Sequence, residues 1–239
     1  MDQADLFASL GRYSHGDRPL SLLDQIQAGT LDLELAAWLV SHVSRGASFI
    51  VGASPGRAGK STTMRSLLSF VPSDLAFAEA LPGEVALDGR PTCVICHELS
   101  DHPPAAYLWG QDLRDYFSLI DGDHVLVANL HADDLDGTRD QICGDNGVPE
   151  AQFNGVDLFV FLRVEGEDAD VTRTVESVHF SDGSGPHRAV YTRETGLSPD
   201  APRDASRQER CRGFLEQAMS GSYLDPLEVR ERFLSWEMP

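Results

Sequence analysis

The stretch "FIVGASPGRAGKSTTMRSLL", Phe49 to Leu68, decides the reading of this chain. It opens on a short apolar run of the kind that forms a strand buried on both faces of a parallel sheet. It closes on Met64, Leu67, Leu68 and, just beyond, Val71, spaced to make one buried face of a helix. Between strand and helix lies a glycine-rich loop of the pattern G-x-x-x-x-G-K-[ST]. Each part of that pattern has a mechanical reason. Glycines let backbone N–H groups turn inward on a phosphate, and the following helix adds its N-terminal dipole. The lysine bridges the β- and γ-phosphates, and the hydroxyl ligates Mg²⁺. Gly59, Lys60 and Ser61 match the right half of the pattern. The left half departs from it: Ser54 stands at the first position, Gly56 and Arg57 lie inside the loop, and Gly52 comes two residues early. Of 19 basic residues only one is a lysine, and it is Lys60. A chance lysine would not fall at that one position between strand and helix. The segment therefore reads as a loop for a nucleotide's phosphates and Mg²⁺ built from Ser54, Gly56, Arg57, Ala58, Gly59, Lys60, Ser61 and Thr62.

A hydrolytic site needs a carboxylate at the end of a neighbouring strand, to hold the metal through water or to polarise the attacking water. "TCVICHELSD" supplies a strand with Glu98 at its carboxyl end, the end at which open α/β sheets bind their ligands. "VLVANLHADD" supplies another strand, ending in His131, where a polar side chain can sense a γ-phosphate. The expected catalytic residues are Glu98 and His131, and the expected metal ligands are Ser61 and, through water, Glu98.

Outward from these segments, "PLSLLDQIQAGTLDLELAAWLVSHVSRG" reads as two helices, with Leu20, Leu22, Leu23 and Ile26 on the first apolar face and a break at Gly29-Thr30. "LAFAEA" reads as a further strand. "AAYLWGQDLRDYFSLI" and "DDLDGTRDQICGD" read as helices. "GVDLFVFLRVE", "TRTVESVHF" and "HRAVYTR" read as adjoining strands, "TGLSPDAPRDAS" as a hinge, and two helical stretches follow it. Strands alternating with helices predict an α/β fold, a mostly parallel sheet flanked by helices, closed by an antiparallel strand region and a helical tail. The expected division is an N-terminal arm over 1–16, a core over 17–195, and a hinge with C-terminal helices over 196–239.

A net charge of −19 over 239 residues excludes a direct nucleic-acid binder, which needs a basic footprint. It suits a protein partner with a basic face. With arginine so dominant over lysine, the acidic excess also fits a high-salt cytoplasm, a reading checked by solubility against salt. No apolar run is long enough to span a bilayer, and the N-terminus lacks the charge and apolar pattern of a leader, so a cytoplasmic location is expected. Cys93 and Cys96 form a C-x-x-C inside a strand. Successive strand residues face opposite ways, so these thiols diverge rather than chelate.

Taken in order, the three segments resemble the secretion/pilus ATPase superfamily, the type II and type IV secretion and pilus-retraction motors with their archaeal relatives. "GKSTTMRSLL" is similar to that family's Walker A helix. "HELSD" resembles its Walker B end, with Glu98 as the acidic residue and Asp101 following. "ANLHADD" resembles its His box, and the lead-in "PLSLLDQIQAGTLDLELAAWLV" resembles the family's own. The resemblance covers roughly residues 17 to 193. It implies a P-loop NTPase of RecA-like fold that hydrolyses ATP with Mg²⁺. It also implies a homo- or hetero-oligomer serving protein partners in a secretion- or pilus-type machine, peripheral to a membrane complex. Arg57 and His97 stand where the family has glycine, Glu79 stands in for its Asp box, and Arg139 follows the histidine. These departures suggest a minimal or divergent member, and the alternative they favour is a catalytically weak nucleotide-binding regulatory or assembly subunit. A P-loop kinase is the lesser alternative. A GTPase is excluded, because its base-reading Asn-Lys-x-Asp needs a second lysine.

Overall fold

The computed structural model describes residues 18–53, 58–85, 87–102, 107–166, 171–221 and 224–237. The expected N-terminal arm, and Ser54, Gly56 and Arg57 of the loop, lie outside the described residues. Two helices lead in, α1 (Leu22–Gln27) and α2 (Leu33–Val43). The turn between them uses Gly29 at a φ of 73°, a conformation that glycine adopts without strain. Asp32 then caps α2 by accepting the N–H of Leu35 at 2.7 Å. Leu20, expected on the first apolar face, precedes α1 and is exposed.

The chain continues through β1 (Phe49–Gly52), α3 (Lys60–Leu68), β2 (Ala76–Leu81), a short β3 (Glu84–Val85) and β4 (Thr92–Leu99). There follow α4 (Gln111–Ser118), β5 (Val125–Leu130), α5 (Leu135–Arg139), which runs on as a π-helical turn over Asp140–Asp145, and α6 (Glu150–Asn154). The last elements are β6 (Leu158–Glu165), β7 (Thr172–Phe180), β8 (Arg188–Thr192), β9 (Gly196–Leu197), α7 (Ala205–Met219) and α8 (Pro226–Glu237). Of the helix expected over 105–120, Ala105 and Ala106 lie outside the described residues, and from Tyr107 the helix starts later than its apolar spacing suggested. Leu108 instead makes a parallel bridge to Leu99, and α4 starts at Gln111. The two-residue strands β3 and β9 and the single-turn α6 carry too few residues for a periodic signal, and the sequence reading missed all three.

The strands form one sheet in the order β3-β2-β4-β5-β1-β6-β7-β8-β9. The run β2-β4-β5-β1-β6 is parallel, while β3 and β7 to β9 are antiparallel additions at the two sides. The fold is thus mixed α/β with a large, mostly parallel sheet. Each face carries its own core. Phe49, Val51, Cys93, Ile95, Val125, Val127, Leu158 and Val160 pack with α1, α2, α3, α7 and α8. Ile50, Val94, Cys96, Leu126, Ala128 and Phe159 pack with α4, α6 and the π turn. Cys93 and Cys96 therefore point to opposite faces, and burial pushes the Cys96 thiol up to about 12 and that of Cys93 higher still.

The tail closes the first core. Phe70, Phe214 and Phe233 meet edge to face at centroid distances of 5.0 to 6.3 Å. Arg230 of α8 is buried and donates from Nη1 to the carbonyl of Val71 at 2.6 Å, just past the C-terminal end of α3. A cation there complements the negative end of the helix. Among the described residues no helix is long and apolar enough to cross a membrane.

Candidate nucleotide site

The parallel strands deliver their carboxyl ends to one edge of the sheet, and β1 arrives there between β5 and β6. Gly52 ends β1 under close packing: a Cβ placed on it would lie 2.7 Å from the Phe161 ring and 2.8 Å from the Ala132 carbonyl oxygen. Its glycine identity follows from that approach rather than from a phosphate. Gly59 caps α3 with φ 95° and ψ 10°, left-handed backbone that a side chain would strain. Beside it, Arg173 of β7 lays its Cδ 3.3 Å from where a Cβ of Gly59 would be. Ala58 is buried in the first core, while Ser61 and Thr62 stand half-buried in the first turn of α3.

Lys60 is the first residue of α3 and is almost wholly buried. Side chains on a helix lean toward its N-terminus, which carries this one back over the strand ends. Its Nζ lies 3.4 Å from the carbonyl oxygen of Ala53, 3.1 Å from His131 Nδ1 and 3.5 Å from Glu98 Oε1. His131 Nε2 lies 3.6 Å from the same Glu98 oxygen. Three residues expected from separate segments therefore meet at one point.

Glu98 reaches that point through a β-bulge. On β4 the pairing with β5 steps from Cys96↔Ala128 to Leu99↔Leu130, three residues against two. Cys96 and Leu99 both belong to the second core, so His97 and Glu98 share the one intervening place on the first face, opposite Asn129. Asn129, fully buried, holds the bulge by donating from Nδ2 to the His97 carbonyl at 2.9 Å. Sequence reasoning missed Asn129, whose signal was a lone amide in an otherwise apolar strand.

Electrostatics follow from burial. Desolvation pushes the Glu98 carboxyl up, and Lys60 partly opposes it. Desolvation pulls Lys60 down, opposed first by Glu98 and then by Asp133. His131 is lowered by burial and by the nearby Lys60 and His102, so its ring is neutral at pH 7. Lysine has only donors, so His131 Nδ1 accepts from it and the ring carries its proton on Nε2, turned to Glu98. Glu98 Oε1 accepts no hydrogen bond among the described residues, although it is buried. A buried carboxylate oxygen in that state has unused capacity for a donor.

Other residues singled out from sequence fall elsewhere. Glu79 stands by His97 at 3.5 Å rather than at Lys60. Asp101 is exposed and pairs with His102 at 2.6 Å, and Arg139 is exposed and pairs with Glu150 at 2.6 Å. No group of three or more His, Cys, Asp or Glu side chains among the described residues could hold a metal alone. Two clefts, of about 440 and 620 Å³, lie at the opposite edge of the sheet around Arg45 and Gly46 and include none of Lys60, Glu98 or His131.

No protein-family model matches the chain, and no curated protein sequence does. Among solved structures it is similar to the VirB11 ATPase from the Brucella suis type IV secretion system, determined in complex with sulphate, at a TM-score of 0.45 and 18% identity. The match covers 75% of this chain and 62% of that one, so the chain spans less than two thirds of that protein. A likeness of that degree carries no argument about this chain, whose chemistry has to be read from its own side chains.

Proposed function

We propose that this chain is a P-loop nucleoside triphosphatase of RecA-like arrangement that binds ATP with Mg²⁺ at the carboxyl edge of its parallel strands. The observation that supports it best is the meeting of Lys60, Glu98 and His131, carried by α3, β4 and the end of β5, at one buried point. The donor set fits a polyphosphate: a buried ammonium, the N–H groups of the first turn of α3, which have no partner within the helix, and the Ser61 hydroxyl in the same turn. It fits a magnesium ion too, because the Ser61 hydroxyl is a hard oxygen ligand and Glu98 can accept a hydrogen bond from a metal-bound water. When bound, Mg²⁺ supplies charge neutralisation on the phosphates. Backbone N–H groups at Ala58 to Ser61 hold the phosphates, and Lys60 spans the β- and γ-positions. His131, neutral and with a proton on Nε2, hydrogen-bonds the terminal phosphate.

Glu98 is the general base. Its carboxyl is already raised by burial, and Lys60 is the group that restrains it. A phosphate that draws Lys60 away leaves Glu98 more basic and still oriented by the bulge, ready to take a proton from the attacking water. Fast phosphoryl transfer also needs arginines against the transition-state charge. We assign those to a neighbouring subunit, in an oligomer that drives or regulates a secretion- or pilus-type assembly.

ATP turnover and binding by the purified chain test this reading. Glu98→Gln should retain ATP affinity and lose about 100-fold or more in turnover, while Lys60→Ala should lose affinity. Unchanged turnover in Glu98→Gln sinks the assignment of the base.

A further inference from the structure

We infer that Arg173 grips the nucleoside end of the bound nucleotide's phosphate chain, at the α-phosphate, an inference that rests on the nucleotide reading above. The observation is local. Arg173 is exposed on β7, a strand far in sequence from the loop, yet its stem lies against Gly59, the residue that caps α3. Among the described residues, the Arg173 Cδ is the one heavy atom beyond the chain neighbours of Gly59 that a Cβ there would meet within 4 Å. Glycine at this position thus serves two ends: it takes the left-handed backbone and leaves room for the arginine stem beside the start of α3.

The strand order gives the contact its meaning. Glu98 and His131 come from β4 and β5, on one side of β1. Arg173 comes from β7, two strands away on the other side. Lys60 stands between, joined to the Glu98 side. The buried Glu98 oxygen that accepts no hydrogen bond marks the end where metal and terminal phosphate belong. A phosphate chain laid along the N-terminus of α3 with its γ-phosphate at Glu98 and His131 therefore runs toward β6 and β7 at its other end. A guanidinium there makes charge-assisted hydrogen bonds to the phosphate nearest the nucleoside. Such a cation is common to ATP and ADP, whereas one at the Glu98 side would act on ATP alone.

The test is equilibrium titration of fluorescent ATP and ADP analogues, with Mg²⁺, into the full chain and its Arg173→Ala, Arg173→Lys and Lys60→Ala variants. Arg173→Ala should weaken ATP and ADP by the same factor, about 10- to 100-fold. Arg173→Lys, which keeps the charge and loses the planar fork, should recover part of it. Melting temperatures without nucleotide, recorded for each variant, separate a loss of fold from a loss of the phosphate contact. Unchanged affinities in Arg173→Ala overturn the inference, and so does a loss confined to ATP, which would put the arginine at the terminal phosphate. Failure of the underlying reading has a different signature: the unmodified chain binds neither nucleotide, or Lys60→Ala binds both as the unmodified chain does.

Discussion

Lys60 Nζ stands 3.1 Å from His131 Nδ1 across 71 positions of the chain, and both residues approach one buried oxygen of Glu98. With side-chain exposures of 7% for Lys60 and 9% for Glu98, the pair is out of water, and neither charge is tolerable there alone.

That interdependence is measurable. Lys60→Met should lower the unfolding free energy by about 3–5 kcal/mol, because it strands the carboxylate. The double variant Lys60→Met with Glu98→Leu should recover most of that loss. Urea denaturation at pH 7 of the two single variants and the double variant gives the coupling energy. Additive costs would mean that the carboxylate does not depend on the lysine.

Gly52→Ala should destabilise by about 1–3 kcal/mol, since the new methyl meets the Phe161 ring at 2.7 Å and the Ala132 carbonyl at 2.8 Å. Pairing it with Phe161→Leu should relieve only part of the cost, because the backbone oxygen cannot step aside. Thermal melts decide it; a neutral Gly52→Ala would assign the glycine to the loop rather than to packing.

Arg230 ties α8 to the end of α3 and lies 5.1 Å from the Phe77 ring centroid. Arg230→Met keeps the bulk and loses the charged hydrogen bond to Val71, at a cost of about 1.5–3 kcal/mol. Hydrogen exchange should show the change at Leu68 to Val71 and along α8 before it reaches β1.

Two buried groups pull the acid-side stability in opposite directions. Burial raises Asp157 to about 6, against a Ser48 N–H that its carboxylate accepts at 2.7 Å. The folded chain thus binds more protons there than the unfolded chain, and this contribution is lost as pH rises from about 4 past 6. Burial lowers His187 to about 4, with its Nε2 2.6 Å from the Val156 carbonyl. The unfolded chain binds that proton first, so this contribution is lost as pH falls from about 6.5 toward 4. Between pH 4 and 6.5, Asp157→Asn should make stability rise more steeply with pH, and His187→Gln should flatten it. Denaturant titrations at four pH values distinguish the two, and slopes unchanged in both variants contradict both assignments.

Much of this protein is legible one residue at a time. The apolar runs at 49–52, 92–96 and 125–130 announce buried strands, and Met64, Leu67 and Leu68 announce the face of α3. Glu98 and His131 were legible as polar residues closing apolar strands, because a strand buried on both faces admits a carboxylate or imidazole only where it emerges. Local sequence could not tell which way Glu98 points. Simple alternation places it with Val94 and Cys96 in the second core, away from Lys60. The bulge opposite Asn129 turns it to the first face, and a bulge is a property of two paired strands, not of either one. Arg173 was invisible for the same reason. Its place at Gly59 depends on β7 joining the sheet antiparallel to β6, a long-range pairing that no window of sequence around the loop contains. Sequence alone determined which residue types reach the edge of the sheet; strand register and order decided which of them meet.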